Sequence, residues 1–291
     1  MPISNFILMK KILITGANGQ LGKEFRDLAV NFPYSDFLFL SREDLPIHHF
    51  ELVRNVFNSF RPDFCINCAA YTAVDKAEQE KDLANLVNAE SVGVLAAVSH
   101  LHHTKFIHIS TDYVYDGMAS LPYNEDAKTN PQSIYGLSKK MGEDEAVKNN
   151  PESVIIRTSW VYSRHGNNFV KTIMRLMRER DSISVVSDQK GTPTWAADIA
   201  AAIMQIIDSK IWIPGIFNFS NDGETTWYEF AVEIKRLIGS SCIVNPIPTS
   251  SYPTPAKRPQ YSVLDKEKII SVYHVKLRDW RESLGKCIEG L

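Results

Sequence analysis

The chain is poor in the features that mark secreted, membrane-bound or nucleic-acid-binding proteins. Its four cysteines, at positions 65, 68, 242 and 287 of 291, are too few for the disulfide framework of a small secreted fold. The longest apolar runs are strand-sized, so no segment is expected to span a bilayer as a helix. Lys and Arg number 32 against 34 Asp and Glu, a net charge of −2. Neither a basic excess for nucleic acid nor an acidic solvating tail is present. The stretch Met1–Met9 lacks a positively charged start and a small-residue cleavage site, and reads as a short leader before the first strand. These absences predict a cytoplasmic protein with no membrane and no nucleic-acid partner. What remains is 44% hydrophobic and 23% charged residues, ample material for the core of one large α/β domain or two modest ones.

Apolar runs at Lys11–Thr15, Phe37–Leu40, Phe64–Asn67, Lys105–Ile109 and Ser153–Ile156 read as strands. Between them lie stretches of helical spacing, from Gln20 to Val30, Glu51 to Phe60, Lys81 to His102 and Tyr135 to Lys148. Such alternation predicts βαβ units and a doubly wound parallel sheet of the Rossmann type, which takes ligands outside the carboxyl ends of its strands. Residues 1–160 are expected to form this core, rejoined by parts of 183–222 such as Ser184–Val186 and Ile216–Phe219. Residues 161–291 are expected to form mainly a smaller lobe. A helix from Asn168 to Arg180 belongs there. Five prolines between Pro246 and Pro259 predict irregular structure, and a final helix is expected to carry Leu277, Trp280 and Leu284. The C-x-x-C of Cys65 and Cys68 sits on a strand, where residues three apart face opposite ways, so it predicts core packing and not a redox pair.

Three constellations carry chemistry. Gly16-Ala17-Asn18-Gly19-Gln20-Leu21-Gly22 is a G-x-x-G-x-x-G turn directly after the first strand and opening a helix. Gly16 allows the tight turn, Gly19 lets backbone approach a pyrophosphate, and Gly22 lets the helix pack on the strand. At the end of the second strand, Ser41-Arg42 replaces the carboxylate that would bond a ribose 2′-hydroxyl. The Arg42 fork suits a 2′-phosphate, which tilts the cofactor towards NADPH with NADH left open, while Glu43 and Asp44 lie close. Tyr135 and Lys139 form Y-x-x-x-K, one face of one helix. There a lysine ammonium beside a phenol is expected to lower the phenol's pKa and let it protonate a carbonyl. Thr111, at the end of the fourth strand, offers a hydroxyl to the same carbonyl.

With the glycine turn, Thr111, Tyr135 and Lys139, the chain resembles the extended short-chain dehydrogenase/reductase superfamily. Longer strings narrow it. Asn67–Glu78, Ser110–Tyr115, Arg157–Tyr162, Asp188–Thr194 and Arg258–Asp265 together are similar to the dTDP-4-dehydrorhamnose reductase family, from about Lys10 to the C-terminus.

The resemblance implies reduction of the 4-keto group of dTDP-4-dehydro-β-L-rhamnose to dTDP-L-rhamnose by NAD(P)H. Thr111, Tyr135 and Lys139 match its catalytic positions. Ala69, Ala70 and Tyr71 match a loop against the cofactor. Asp112, Tyr113, Trp160, Arg258 and, near the lysine, Asn88 fall on the side of the dTDP-sugar. A homodimer is left open. Some members join subunits through a magnesium ion held by glutamates; Glu24 matches one of these, but Ala197 stands at another, so no structural magnesium is expected. Ser41 and Pro46 depart from the family pattern at the adenosine. Two rivals remain on the same scaffold. One is a sugar-nucleotide dehydratase or epimerase, disfavoured because Tyr113 stands where a dehydratase has its glutamate base. The other is a non-catalytic NADP-binding regulatory subunit like that of methionine adenosyltransferase.

Overall fold

The computed structural model describes residues 9–291; of the leader-like stretch, Met1–Leu8 lie outside the described residues. Six parallel strands form the central sheet. They are β1 (Lys10–Thr15), β2 (Ser35–Leu40), β3 (Phe64–Asn67), β4 (Lys105–Thr111), β5 (Val154–Thr158) and the strand Gly215–Asn218. Across the sheet the order is β2, β1, β3, β4, β5, Gly215–Asn218.

Both faces are covered, which explains why the strands are apolar at successive positions. Ile12, Ile14, Ile66, Ile107 and Ile156 meet α1 (Gln20–Leu28) and the helices Ala196–Asp208 and Glu267–Tyr273. Leu13, Cys65, Phe106 and Ile155 face the other way, onto α2 (Phe50–Phe60), α5 (Ser91–Leu101) and α6 (Ile134–Asn149). Cys65 and Cys68 are free and pack on opposite faces, as their spacing on a strand requires. Between α2 and α5 lie the short helices α3 (Val74–Ala77) and α4 (Lys81–Asn85). Strand order reverses where β1 meets β3, and that switch point opens the crevice in which such sheets take ligands.

A second core gathers Tyr162, Val170, Ile173, Met177, Phe230, Ile234, Trp280 and Leu284 into a smaller lobe. Four expectations change here. Ser184–Val186 does not return to the main sheet. The strand Ser182–Val186 pairs with Ile243–Ile247, because Ile183 and Val185 bury into the lobe core instead. Pro246 therefore lies inside a strand. A two-stranded sheet is all edge, and there a missing N–H leaves no ladder bond unmade. Leu277 precedes the final helix, Trp280–Glu289, whose start is fixed by the Asp279 side chain accepting from the Arg281 N–H at 2.8 Å. The stretch from Lys81 to His102 is not one α-helix either: a π-turn at Leu86–Glu90 separates α4 from α5. Among the described residues no helix is long and apolar enough to cross a membrane.

One ion pair ties the sheet to α6. Arg157 on β5 is 1% exposed and gives Nε and Nη2 to the Glu143 carboxylate at 2.8 and 2.7 Å, and Nη1 to the Tyr115 hydroxyl at 2.8 Å. Ser110 on β4 donates to the same carboxylate at 2.6 Å. Arg157→Met would strand a buried carboxylate and is expected to cost about 3–5 kcal/mol. Urea unfolding checks this, and the double variant Arg157→Met/Glu143→Leu is expected to recover much of the loss.

Candidate active site

The glycine turn follows β1 as expected. Gly16 has φ +65, and a Cβ there would lie 2.6 Å from the Ala69 backbone nitrogen, so the turn after β1 and the loop after β3 touch only because no side chain intervenes. Gly22 packs as closely on the Gly16 carbonyl, and Gly19 caps α1. The first turn of α1 leaves backbone N–H groups without helical partners. A cavity of about 340 Å³ opens there, lined by Gly16, Asn18, Gly19, Arg42, Ala69, Ala70 and Tyr71 among others. A larger one, about 770 Å³, lies at the amino ends of the strands beside Lys10, Arg61 and Lys105, away from every residue of this site. Ligands of such sheets sit at the carboxyl ends, so the smaller cavity is the candidate cofactor groove. Its bare backbone and helix start suit a pyrophosphate.

Next to the groove, Thr111 ends β4 and Tyr135 begins α6. The helix start is pinned twice: Ser133 Oγ accepts the Gly136 N–H at 3.1 Å, and Glu78 Oε1 accepts the Ile134 N–H at 2.8 Å. The Tyr113 and Tyr135 rings meet edge to face at 5.5 Å, which sets the Tyr135 phenol near Thr111. The Thr111 hydroxyl donates to Asp112 Oδ1 at 2.9 Å, while Asp112 Oδ2 is buried without a partner. Burial raises the Asp112 carboxyl to about 6. Arg258 gives Nη2 to Asp75 at 2.6 Å and Nη1 to the Tyr113 hydroxyl at 3.2 Å, bringing the proline-rich loop over the site. On the lobe side Trp160 lies flat on Trp227, centroids 3.5 Å apart, with φ 45. That left-handed backbone is strained for a bulky residue by about 1–3 kcal/mol.

Residues 9–291 match the family of the RmlD substrate binding domain. A relative from Aggregatibacter actinomycetemcomitans described as dTDP-4-dehydrorhamnose reductase is 40% identical over 287 residues, which cover 95% of this chain and 97% of that one. The chain belongs to the dTDP-4-dehydrorhamnose reductase family. Two crystal structures of such reductases superpose on it. That from Clostridium acetobutylicum is 43% identical, covers 96% of this chain and 98% of its own, and has a TM-score of 0.92. That from Bacillus anthracis, in complex with NADP, is 37% identical, covers 97% and 99%, and has a TM-score of 0.93.

Against the pattern expected of a dTDP-4-dehydrorhamnose reductase, several residues sit differently. Lys139 does not depress the Tyr135 phenol. Its Nζ donates to the Ile109 carbonyl at 2.6 Å and meets His108 Nε2 at 3.1 Å, while burial pushes the phenol up. Asn88 is fully buried in the π-turn and presents nothing to a sugar. Its amide bonds both backbone groups of Tyr71, at 2.8 and 3.0 Å, and the Ser138 hydroxyl at 3.0 Å, which clamps the cofactor loop to α6 beside Lys139. The Ser41 hydroxyl is spent on Glu43 at 2.7 Å, leaving Arg42 as the groove's cation there. The Leu21 side chain turns into the main core, so only its backbone faces the turn, and Gln20 accepts from Asn168 at 2.9 Å. Glu24 is buried and bonded to Ser163 Oγ at 2.7 Å and Trp195 Nε1 at 3.2 Å. The sequence reading missed His108, Asn67 and Glu143; a histidine within an apolar strand was the available signal.

Asn88→Ala frees the Tyr71 backbone and is expected to lower stability by about 1–3 kcal/mol. It should also weaken NADPH binding, because the Ala69–Tyr71 loop loses its clamp. Urea midpoints and a fluorescence titration measure the two effects, and unchanged affinity would show that the loop is held by something else.

Proposed function

We propose that this chain reduces the 4-keto group of dTDP-4-dehydro-β-L-rhamnose to dTDP-L-rhamnose with NADPH. Tyr135 is assigned as proton donor, Thr111 as the hydroxyl that orients the carbonyl, and Lys139 as the residue facing the nicotinamide ribose. One observation carries the reading: in a chain alike over nearly its whole length to reductases of this name, Thr111 at the end of β4 and Tyr135 in the first turn of α6 come together beside the groove at the glycine turn.

NADPH, when bound, supplies the hydride for C4. The protein's task is the oxygen, where negative charge develops as hydride arrives. Burial raises the Tyr135 phenol, so at neutral pH it carries the proton that the C4 oxygen needs. The Thr111 hydroxyl donates to Asp112 Oδ1 at 2.9 Å and accepts the Tyr113 N–H at 3.3 Å, so it is held in place near the phenol. Arg42, the groove's cation near the end of β2, suits a 2′-phosphate. Elimination chemistry finds no support. It needs a base, and burial raises the Tyr113 phenol to about 12 even with Arg258 against it. The place of action proposed is the cytoplasm, since all four cysteines are free thiols.

The test is NADPH oxidation with dTDP-4-dehydrorhamnose. Tyr135→Phe is expected to lower kcat by about 10²–10⁴ and to leave the NADPH Kd nearly unchanged, because the lost proton matters in the transition state. Thr111→Val should fall between that variant and the wild type, with Thr111→Ser mild. Equal rates for wild type and Tyr135→Phe would remove the tyrosine from its role. Binding of NADPH without turnover of any keto-sugar nucleotide would favour the regulatory-subunit reading.

A further inference from the structure

His108 is fully buried in the middle of β4, and the proposed reaction gives it no task. Its ring lies between two amine-type nitrogens: Nδ1 is 3.1 Å from Asn67 Nδ2, and Nε2 is 3.1 Å from Lys139 Nζ. The Asn67 amide is oriented from its far end. Its Oδ1 accepts from the Thr15 hydroxyl at 2.7 Å and from the Ala69 N–H at 3.2 Å, and a backbone N–H can only donate. Nδ2 therefore donates towards His108, Nδ1 must accept, and the proton of the neutral ring resides on Nε2. That N–H points at Lys139 Nζ.

An ammonium has three donors and no lone pair. Placed here it would meet the Nε2–H head on. A neutral amine completes the set: its lone pair accepts from His108, and one N–H goes to the Ile109 carbonyl at 2.6 Å. The surroundings agree. Burial pushes Lys139 down to about 8 and His108 well below its usual value. Of the groups facing them, Glu143 on α6 favours the ammonium but is bonded by Arg157 and Ser110. The Cys68 thiol after β3 is raised by burial, as is the Cys65 thiol on β3, and the Tyr135 phenol on α6 is raised too.

We propose that His108 is a positioning residue that favours Lys139 as a neutral amine in the cofactor-free protein, so that dinucleotide binding, by offering hydroxyl oxygens to Nζ, is coupled to uptake of up to one proton from solvent by Lys139. The first half concerns the free protein; the coupling rests on the reading of Lys139 as the residue facing the nicotinamide ribose.

Two measurements test it. The first is ¹⁵N NMR of the histidine rings in the cofactor-free protein at pH 9, above the value of about 8 to which burial pushes Lys139, with His108 assigned by its loss in His108→Gln. The Nε2–H neutral tautomer is expected; an Nδ1–H tautomer or an imidazolium overturns the assignment. The second is calorimetry of NADPH binding at pH 8 in two buffers of different ionisation enthalpy. With Lys139 near 8, uptake of about half a proton is expected for the wild type. Uptake should vanish in Lys139→Met and be smaller in His108→Phe, where the Nε2–H no longer faces the ammonium and burial alone opposes it. No uptake by the wild type, or equal uptake in Lys139→Met, overturns the coupling. Equal uptake in His108→Phe overturns the part given to His108. Should NADPH not bind at all, the proposed reductase fails, while the tautomer still decides the state of His108.

Discussion

Helix α6 lies against the end of β4, and every reactive side chain of the site hangs from that contact. The buried pair of Arg157 and Glu143 fastens it one turn beyond Lys139, with Ser110 of β4 bonded to the same carboxylate. The approach is close enough to exclude side chains. A Cβ on Gly142 would lie 2.0 Å from the Asn88 carbonyl oxygen, and one on Gly136 2.3 Å from that of Tyr113. Move the helix by a turn's fraction and Tyr135 no longer lies near Thr111. A buried ion pair is a poor source of net stability, yet it has one satisfied geometry, and here that geometry sets where Tyr135 stands relative to Thr111.

Low solvation sets the protonation states around that contact. Burial raises the Tyr135 and Tyr113 phenols, the Asp112 carboxyl and the Cys68 thiol, and lowers Lys139. The common sign is loss of charge, as expected where water is excluded and few counter-charges are at hand. A phenol kept protonated suits an acid, and a lysine close to neutrality is poised to gain charge when a ligand arrives. The polar chain from Thr15 through Asn67 and His108 to Lys139 runs from the ends of β1 and β3 across the middle of β4 to α6. It connects the glycine turn with the lysine that the turn's ligand would meet.

The smaller lobe supplies the other wall. Its aromatic pair Trp160 and Trp227 offers a flat face, and Trp160 keeps a left-handed backbone to present it. The Arg258–Asp75 pair joins the proline-rich loop to α3, so the two lobes meet beside Tyr113. Strained backbone and a cross-lobe ion pair both fall at the crevice, where side chains must be aimed and not merely packed.

Local chemistry was legible in the residues alone. The strand–glycine turn–helix after β1, the apolar alternation that buries β1 and β3 on both faces, the helix carrying Tyr135 and Lys139, and the inert Cys65 and Cys68 all follow from nearest-neighbour spacing. Partners distant in sequence did not. Spacing placed Lys139 one turn from Tyr135 but said nothing of Ile109 and His108, which draw Nζ away from the phenol. It gave no sign that a π-turn rotates Asn88, placed by resemblance on the side of the dTDP-sugar, into the Tyr71 backbone. It read prolines as irregular structure, though Pro246 lies in an edge strand whose partner is some sixty residues away. Periodicity reports which face of an element is buried, and the sequence by itself determined that much: a doubly wound sheet, its glycine turn and its reactive side chains. What those side chains bond to, and so which carry charge, was decided only by the tertiary structure, because hydrogen bonding and desolvation depend on neighbours that the fold, not the chain order, brings together.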